Sequence, residues 1–510
     1  MNLFQMLERS ARSRCGDRPA VMFDGDERSF VALRDRALRL ARGLHGAGLQ
    51  PGDRVAVLMG NRHEWPETLF ALAALGAVCV PVNVLLTGRE VRHVCADSDV
   101  RCLIVDELGE PKLAELEVLP ELVVTVGAVD ADGALAYEAL PEAELPGAGG
   151  GGPAGSDVLI HYYSSGTTGL PKAAVHSHAN VLWNSFGQIV DIGLGPDVRY
   201  LVVPSLSWAA GFHNLMLGLV FTGGSSVLMP TGGLTVERIV HAIERERATH
   251  VMLVPSLLRQ FGTDDGALER LRRSSLRWIV TGAEPVPPPL IEQLSAELPD
   301  CRLCQAYGMS EFPTIATLLT PEQALEHGGS AGRPLSHTDV AVRLDDGTIA
   351  DAGRGELLMR SPATMLRYHG LPEQTEAALA GGWLHTGDLV EVDDERFVTI
   401  VGRTKDMIIS GGLNVYPKEI EDVLAGLAGV GEVAVVGVPD ERFGEAPVAV
   451  LVTVEGETID EAELERVCRA ELSSYKRPRA VLMHDGPLPR NPTGKLLKRE
   501  LRPWAAERAG

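Results

Sequence analysis

The sequence predicts an α/β protein divided into a large domain and a smaller one. With 510 residues, the chain is too long for a single ordinary hydrophobic core. Apolar residues make up 45% and charged residues 23% of it, a composition typical of a globular protein. In addition, segments of helical and of strand-like apolar spacing alternate along the N-terminal part of the chain, which favours a sheet with crossover helices.

The individual elements are predicted from apolar spacing and from turn residues. Leu33, Ala37, Leu40 and Leu44 recur at helical spacing and predict a helix. A Pro-Gly turn then leads into the first strands. The further predicted elements are a strand over 54–59, a helix over 67–75, a strand ending at 81–83, a Gly/Pro/Ala-rich surface loop over 146–155, a buried strand over 158–163, and strands over 277–280 and 302–306.

Charge and composition narrow the class of protein. The formal net charge of −22 repels nucleic acid and anionic membranes, so neither is an expected partner. Residues 1–20 lack the apolar core of a signal peptide, and the longest apolar run, 69–82, is shorter than the roughly 20 residues that span a bilayer. Seven cysteines without a framework spacing suit a reducing compartment. We therefore expect a cytoplasmic enzyme with no membrane span.

Two histidines and two cysteines raise the question of a metal site. His176 and His178 would share one face of a strand, but the neighbourhood offers no further metal ligands, so structural histidines are favoured. Cys301 and Cys304 form a C-x-x-C pattern where a predicted strand begins. Residues three apart on a strand point to opposite faces, so we expect small buried residues rather than a chelating pair.

A loop rich in glycine and hydroxyl groups follows the strand at 158–163. It has the sequence Ser164-Ser165-Gly166-Thr167-Thr168-Gly169-Leu170-Pro171-Lys172. Backbone N–H groups, hydroxyls and a lysine are the groups that bind polyphosphate, so we predict a phosphate-binding loop. The loop differs from that of kinases and GTPases, in which Gly-Lys-Ser/Thr ends the motif. A flexible linker is the alternative, but linkers seldom carry paired threonines and a Pro-Lys end after a buried strand.

This nonapeptide resembles the signature loop of the adenylate-forming superfamily, which includes acyl-CoA synthetases, aryl-CoA ligases, luciferases and the adenylation domains of peptide synthetases. The resemblance implies a large N-terminal domain of α/β subdomains and a small α+β C-terminal lid domain. It implies an adenylation domain over 1–402, a hinge over 403–406 and a mobile lid over 407–510. It also assigns a catalytic role to Thr167 and ATP binding to Ser164, Ser165, Gly166, Thr168, Gly169 and Lys172.

Two more motifs follow at the ends of predicted strands, where open α/β sheets bind their ligands. In Thr281-Gly282-Ala283-Glu284-Pro285, the resemblance implies that Ala283, Glu284 and Pro285 flank the adenine.

Residues 307–311 match the family pattern Tyr-Gly-x-Thr/Ser-Glu. The resemblance implies that Tyr307 stacks on adenine, that Ser310 contacts the α-phosphate, and that Glu311 binds magnesium and is catalytic. A carboxylate with phosphate oxygens is a ligand set suited to Mg²⁺. Gly308 lets the backbone approach the nucleotide closely.

The acyl pocket is predicted around the segment at 205–212. This segment resembles one in which an aromatic residue closes the pocket near a glycine, and Trp208 occupies the aromatic position. A core tryptophan is the alternative interpretation. Because no acid or base is evident among the predicted pocket residues, an apolar fatty, alicyclic or aryl acid is favoured. These residues are Trp208, Phe212, Gly282, Met309 and Phe312.

The C-terminal part of the chain carries further matches. Asp388 ends a Gly-Trp-Leu-His-Thr-Gly-Asp motif, and by resemblance it binds the ribose hydroxyls together with Arg403. Lys405 stands where the family pivots, and we assign it a catalytic role in that movement. A compact α+β pattern follows, with short strands and one helix over 460–472.

The remaining matches concern the thiol and the reacting phosphate. Gly411 and Gly412 are expected beside the thiol tunnel, and the basic cluster at 476–479 is interpreted either as a coenzyme A site or as a solvated face. Lys495 precedes a short helix, although a lysine there opposes the helix dipole. By resemblance, Lys495 is the catalytic lysine that swings into the active site.

Together, the resemblance of these motifs to the superfamily implies an acid:CoA ligase that uses ATP, Mg²⁺ and coenzyme A. A carboxylic acid first forms an acyl-adenylate and pyrophosphate, and a thiol then accepts the acyl group. One alternative is loading of the acid onto a carrier-protein phosphopantetheine. An amino-acid adenylation domain is disfavoured because no aspartate lies near Trp208, and a non-catalytic binding protein because Glu311 and Lys495 are present. A luciferase-like oxygenase is weakly excluded, and a homodimer is left open.

Overall fold

The structure is a computed structural model that divides by internal contacts into two compact units. The first unit comprises Met1–Asp339 and Arg360–Leu384, and the second comprises Val340–Met359 and His385–Gly510. The predicted boundary at 402 does not coincide with this division, although the hinge concerns movement rather than contacts and stays a prediction. The described residues are 1–129, 131–146, 152–164, 171–282, 284, 286–411, 413–440, 442–454, 456–490 and 496–509.

The apolar spacing of the sequence accounts for where the helices of the described residues form. In the second of them, Leu33, Ala37, Leu40 and Leu44 are all buried, which confirms the predicted helix. In chain order the α-helices are α1 (Leu3–Ala11), α2 (Phe30–Gly46), α3 (Glu64–Leu75), α4 (Gly88–Asp97), α5 (His178–Gln188), α6 (Ala209–Phe212), α7 (Met216–Thr222), α8 (Val236–Glu246), α9 (Pro255–Gly262), α10 (Asp265–Arg273), α11 (Pro288–Glu297), α12 (Pro321–Ala324), α13 (Pro372–Ala378), α14 (Pro417–Ala425), α15 (Glu461–Glu471) and α16 (Lys498–Ala509).

The strands occupy most of the segments between these helices. In chain order they are β1 (Pro19–Phe23), β2 (Asp26–Ser29), β3 (Arg54–Leu58), β4 (Val78–Pro81), β5 (Val100–Val105), β6 (Leu122–Thr125), β7 (Leu135–Ala136), β8 (Val158–Ser164), β9 (Lys172–Ser177), β10 (Arg199–Val202), β11 (Ser225–Leu228), β12 (His250–Met252), β13 (Trp278–Gly282), β14 (Arg302–Met309), β15 (Phe312–Leu319), β16 (Arg333–Pro334), β17 (Asp339–Arg343), β18 (Ile349–Ala350), β19 (Gly353–Arg360), β20 (Arg367–Tyr368), β21 (Leu384–Val392), β22 (Val398–Arg403), β23 (Ile408–Ser410), β24 (Leu413–Val415), β25 (Val430–Asp440), β26 (Gly444–Thr453) and β27 (Ala480–Met483).

The first unit contains two large sheets. Among the described strands, one sheet has the order β20-β9-β8-β4-β3-β5-β6-β7 and the other β16-β15-β14-β13-β12-β10-β11-β1-β2. Strands β3, β4 and β5 are parallel, with helices between them, as the alternating pattern predicts. The predicted α/β fold class is therefore confirmed.

Three predicted local structures of the first unit are wrong in detail. His176 lies in β9, whereas His178 is the first residue of α5, so the two do not share a strand face. Thr281 and Gly282 belong to β13 rather than to the turn after it. Tyr307 belongs to β14, which runs on to Met309 instead of ending at 306.

The second unit contains two smaller sheets in its described part. Their orders are β18-β17-β19-β21-β22 and β24-β23-β26-β25, and β27 pairs with β26. The predicted helix over 460–472 is confirmed as α15, and Asp460 caps it by accepting from the N–H of Ala462. The expected short strands are wrong for β25 and β26, which have 11 and 10 residues. No helix in the described ranges is long and apolar enough to cross a bilayer.

Candidate active site

Strand β9 brings the end of the phosphate-binding loop beside the 307–311 motif. Lys172 is the first residue of β9 and pairs with Ser164 at the end of β8, so the two strands close the base of the loop. Lys172, Ala174 and His176 alternate along the strand and lie on one face. On the other side of β9, Tyr368 of β20 pairs with Ala174. The Lys172 Nζ lies 5.6 Å from the centroid of the Tyr368 ring.

Most of the loop itself lies outside the described residues, namely Ser165, Gly166, Thr167, Thr168, Gly169 and Leu170, as does the side chain of Ser164. Its predicted role in ATP binding therefore stays a prediction. The described exit of the loop is anchored, because His93 Nε2 lies 2.9 Å from the carbonyl oxygen of Pro171. Helix α4, which carries His93, thereby fixes where β9 begins.

Ser310 and Glu311 form the two-residue turn of a hairpin. Met309 of β14 pairs with Phe312 of β15, so the residues between them lie at its tip. Gly308 is required just before the turn, because a Cβ there would lie 1.6 Å from the carbonyl oxygen of Thr314. The backbone of the hairpin thus approaches itself too closely for any side chain at this position.

Three hydrogen bonds hold the turn of this hairpin. His176 Nε2 donates to the carbonyl oxygen of Ser310 at 2.8 Å, and the N–H of Met365 donates to that of Glu311 at 2.9 Å. The hydroxyl of Tyr368 donates to Glu311 Oε1 at 2.8 Å. The Glu311 side chain is therefore oriented by a partner, and the residue is only 7% exposed.

Burial sets the protonation of the groups around this turn. It lowers the pKa of His176 to about 4, so the ring is neutral at pH 7 and carries its proton on the nitrogen facing Ser310. Burial and the neighbouring Glu311 carboxylate raise the pKa of Tyr368 well above its ordinary value. The phenol consequently stays protonated and acts as a hydrogen-bond donor.

The site fits a magnesium ion held partly by substrate. In the part of the chain that the structure describes, no group of three or more His, Cys, Asp or Glu side chains could hold a metal by itself. Mg²⁺ commonly binds proteins through one or two carboxylates and completes its shell with waters and substrate phosphates. Glu311 offers such a carboxylate, and Lys172 lies near it through their shared contact with Tyr368.

The predicted adenine site combines the ends of two parallel strands. Gly282 of β13 pairs with Ala306 of β14, and a Cβ on Gly282 would lie 2.4 Å from the Ala306 carbonyl oxygen. The carboxyl end of β13 therefore lies beside β14, which continues for three residues beyond Ala306, and such strand ends line the ligand crevice in an α/β sheet. Tyr307 and Glu284 are half-buried there. Ala283 and Pro285 lie outside the described residues.

The predicted pocket residues fall into two groups. Phe212 is fully buried, with its ring 5.0 Å from that of Trp65 and 6.4 Å from that of Phe70, in the main hydrophobic core. This packing places the Phe212 ring in the main core, and its role in an acyl pocket stays a prediction.

Trp208 differs from Phe212, because it is half-buried at the start of α6. Met309 is also half-buried, whereas Phe312 is fully buried with its ring 5.8 Å from that of His337. Asn61 fixes the segment before Trp208 by accepting from the N–H of Leu206 at 2.8 Å. The roles of Trp208, Met309 and Phe312 in an acyl pocket stay predictions.

In the second unit, the two predicted ribose ligands are cross-strand partners. Asp388 of β21 pairs with Arg403 of β22, and Arg403 Nε lies 2.8 Å from Asp388 Oδ1. Asp388 is 3% exposed, and Gly387 precedes it with a φ of +70°, a conformation that favours glycine. A buried carboxylate is thus fixed beside a cation at the edge of this sheet.

The other predicted residues of the second unit are only partly described. Lys405 is exposed in the 3₁₀ turn Thr404–Asp406 between β22 and β23. Gly411 has a φ of +60° and donates its N–H to the carbonyl oxygen of Phe443 at 2.8 Å. Gly412 and Lys495 lie outside the described residues.

The basic cluster at 476–479 is bound up within the second unit. Lys476 forms an ion pair with Glu419, and Arg479 forms one with Asp440. Arg477 donates to the carbonyl oxygens of Leu472 and Arg469. These contacts hold the cluster within the second unit, and its interpretation as a coenzyme A site or as a solvated face stays a prediction.

Sequence reasoning missed Tyr368 and the anchoring role of His176. Tyr368 lies between charged and polar neighbours in a two-residue strand, so neither apolar spacing nor a motif marks it. Its importance depends on Glu311, which is 57 residues away in the chain. No signal in the sequence could have connected the two.

Comparison with known proteins identifies the family of the chain. The family of AMP-binding enzymes matches residues 7–369, and the C-terminal domain of AMP-binding enzymes matches residues 419–495. The chain is 37% identical over 488 residues to a feruloyl-CoA synthase of Amycolatopsis sp, covering 95% of each chain. It is also 37% identical to a long-chain-fatty-acid–CoA ligase of Mycobacterium tuberculosis, covering 93% of this chain and 92% of that protein.

A solved structure gives the same result for the fold. The o-succinylbenzoate coenzyme A synthetase of Bacillus subtilis, in complex with ATP and magnesium ion, superposes with a TM-score of 0.84 at 28% identity. The match covers 97% of this chain and 98% of that one.

Fold, motifs and comparisons define a class of adenylate-forming enzyme. The chain belongs to the family of AMP-binding enzymes. It is an AMP-forming acid–thiol ligase of the acyl-CoA synthetase type, which confirms the class predicted from its motifs.

Proposed function

We propose that this protein activates an apolar fatty, alicyclic or aryl carboxylic acid with ATP and transfers the acyl group to coenzyme A. The observation that carries the proposal is the hairpin turn at Glu311, whose buried carboxylate is oriented by Tyr368 next to Lys172 of the phosphate-binding loop. The relatives named for feruloyl and long-chain fatty acyl substrates support an acid of this apolar class.

In the first half-reaction, the substrate carboxylate attacks the α-phosphorus of ATP. The bond to pyrophosphate breaks, and an acyl-adenylate forms. Glu311 would hold Mg²⁺ together with phosphate oxygens of ATP, and the bound ion would supply positive charge against the phosphates. Lys172, Ser310 and the loop residues Thr167 and Thr168 orient the phosphates with a cation and hydroxyl donors. Tyr307, Ala283, Glu284 and Pro285 are assigned to the adenine.

In the second half-reaction, the thiol of coenzyme A attacks the acyl carbonyl carbon, and AMP leaves. We assign the Asp388–Arg403 pair to the ribose, because a buried carboxylate can accept from both hydroxyls. Lys405 is the pivot that turns the lid domain between the half-reactions. Lys495 serves adenylation, and Gly411 and Gly412 lie along the path of the thiol.

Two further proposals concern the cellular compartment and the oligomeric state of the protein. The seven cysteines are all free thiols, which supports a reducing compartment such as the cytoplasm. A homodimer remains a proposal to be tested by measuring the mass of the protein in solution.

The deciding experiment identifies which acids are activated and which thiol accepts the acyl group. Pyrophosphate release is measured over a panel of fatty, alicyclic, aryl and amino acids, and thioester formation is then measured with coenzyme A and with a phosphopantetheinylated carrier protein. We expect release with apolar acids and thioester with coenzyme A. Transfer to the carrier protein alone would identify an enzyme that loads carrier proteins. Release with amino acids only would contradict the proposed substrate class.

A further inference from the structure

Tyr368 contacts two groups that belong to different motifs of the proposed ATP site. Its hydroxyl donates to Glu311 Oε1 at 2.8 Å, and its ring centroid lies 5.6 Å from Lys172 Nζ. A lysine ammonium within about 6 Å of an aromatic ring is attracted to its face. One side chain therefore contacts both the carboxylate at the hairpin turn and the cation at the end of the phosphate-binding loop.

The backbone around Tyr368 fixes where its side chain can lie. Two residues that flank Tyr368 donate hydrogen bonds to β9. The N–H of Leu366 donates to the carbonyl oxygen of Val175 at 2.8 Å, and the N–H of His369 donates to the carbonyl oxygen of Ala173 at 2.9 Å. The N–H of Tyr368 itself donates to Thr375 Oγ1 at 3.0 Å. These three hydrogen bonds fix the strand, and because Tyr368 pairs with Ala174 the ring lies on the face of β9 that carries Lys172.

We propose that Tyr368 is a positioning residue for ATP and its metal ion. Its hydroxyl orients the Glu311 carboxylate toward Mg²⁺, and its ring holds the Lys172 ammonium at the phosphates. This inference rests on the proposed function of Glu311 and Lys172.

The chemistry of the hydroxyl suits this role. A carboxylate has about four lone-pair sites, so one hydrogen bond to Oε1 orients the group and leaves sites for a metal. Removing such a partner of a metal ligand typically weakens metal binding about 10- to 100-fold. The hydroxyl contacts Glu311 and the ring contacts Lys172, so different substitutions should separate their effects. Tyr368→Phe removes the hydroxyl but keeps the ring, whereas Tyr368→Leu removes both.

Tyr163 provides a matched control in the same sheet. Its hydroxyl donates to the Asp97 carboxylate at 2.7 Å, and burial raises its pKa as it does that of Tyr368. Tyr163 pairs with Ala173, one residue from the partner of Tyr368, and so lies on the opposite face. Tyr163→Phe therefore removes a buried tyrosine hydroxyl that contacts Asp97 and Ser98, without touching Glu311 or Lys172.

The test measures metal binding without turnover. Mn²⁺, a spectroscopic substitute for Mg²⁺, is titrated in the presence of α,β-methylene-ATP, and free Mn²⁺ is followed by electron paramagnetic resonance. We expect Mn²⁺ binding to be about 10- to 100-fold weaker in Tyr368→Phe and unchanged in Tyr163→Phe. The nucleotide alone, titrated without metal, should bind normally to Tyr368→Phe and more weakly to Tyr368→Leu.

Two outcomes distinguish failure of this inference from failure of the proposed function. If Glu311→Gln loses Mn²⁺ binding while both Tyr368 variants bind Mn²⁺ and nucleotide normally, Tyr368 only anchors β20 and the inference is overturned. If Glu311→Gln itself binds Mn²⁺ normally, the proposed metal role of Glu311 is wrong. Thermal unfolding of each variant, with Tyr368→Leu as the second substitution, keeps a loss of stability apart from a loss of binding.

Discussion

At the scale of single residues, similar side chains of the predicted pocket differ in their surroundings. Phe212 is fully buried against Trp65 and Phe70, and Trp208 is half-buried at the start of a short helix. Both are aromatic residues of one motif, and the sequence alone suggested the same role for both. Their exposure separates a residue that packs the core from one that can contact a substrate.

Substitution of these two residues by alanine should therefore have different effects. Trp208→Ala is expected to change which acids are accepted, with ATP use nearly unchanged. Phe212→Ala should instead destabilise the fold by about 3–5 kcal/mol, as large-to-small changes of buried aromatic residues do. The measurements are the relative rates over a panel of acids and the free energy of unfolding in denaturant. An unaltered acid preference in Trp208→Ala would show that Trp208 is a core residue and not part of the acyl pocket.

Lys495 should act in only one of the two half-reactions. Its charge is useful while negative charge gathers on the α-phosphate, and loss of one such donor typically costs on the order of 10² to 10³ in rate. Lys495→Ala should consequently be nearly inactive with acid and ATP. Supplied with preformed acyl-adenylate and coenzyme A, it should form thioester at close to the normal rate.

Equal damage to both half-reactions of Lys495→Ala would contradict the swinging role. Lys495→Arg, which keeps a positive charge, is the matched control and should retain part of the adenylation rate.

At the scale of elements, the β14–β15 hairpin places the carboxylate that the sequence marks as functional. Its turn is held by a neighbouring sheet through His176 and Tyr368, and its close approach depends on Gly308. The hairpin explains why the predicted strand over 302–306 was too short. In the sequence, the residues of the 307–311 motif resemble a loop. Tyr307 and Met309 nevertheless extend β14, because they pair with β15, which follows the motif.

Gly308→Ala should distort this hairpin. The added Cβ would lie 1.6 Å from the Thr314 carbonyl oxygen, which is backbone and has to move with its strand. We expect a loss of about 1–3 kcal/mol in the free energy of unfolding and a larger loss of adenylation. Gly195→Ala is the control, because no atom lies within 4 Å of a Cβ there. Normal stability and activity of Gly308→Ala would contradict the close approach of the Thr314 carbonyl oxygen to Gly308.

The 3₁₀ turn at Thr404–Asp406 offers a test of movement. Lys405→Pro fixes φ and removes a backbone donor at the proposed pivot. Adenylation should survive if the chain is held in its first orientation, while thioester formation fails. Lys405→Ala keeps the backbone free and should retain both half-reactions. If Lys405→Pro impairs both half-reactions equally, the pivot lies elsewhere.

At the scale of the whole molecule, buried histidines should make the protein sensitive to acid. Burial lowers the pKa of each below its ordinary value of 6.5, so the folded state resists protonation. Between that value and the folded pKa, the unfolded chain binds more protons, and the free energy of unfolding falls as pH falls. The pKa is lowered to about 3 for His161 and His213 and to about 4 for His176, His178 and His250.

The predicted loss of stability begins near pH 6.5 and extends to about pH 4 for His176, His178 and His250 and to about pH 3 for His161 and His213. Each histidine contributes at most about 1.4 kcal/mol per pH unit in this window. His213→Gln keeps an amide donor for the Val181 carbonyl oxygen but removes the titration, so its unfolding free energy should depend less steeply on pH. Denaturant unfolding at several pH values compares the unsubstituted protein with His213→Gln, and identical slopes would contradict the assignment.

The sequence by itself determined the α/β class, the order of the motifs and the identity of the residues suited to phosphate and magnesium. It could do so because apolar spacing and motif chemistry are local properties, as the helix through Leu33 and Leu44 and the motif ending at Glu311 illustrate. Only the tertiary structure decided how Glu311 is held, that Phe212 packs in the core and that Asp388 pairs with Arg403. These contacts join residues distant in sequence, and they depend on strand register, which no local pattern specifies.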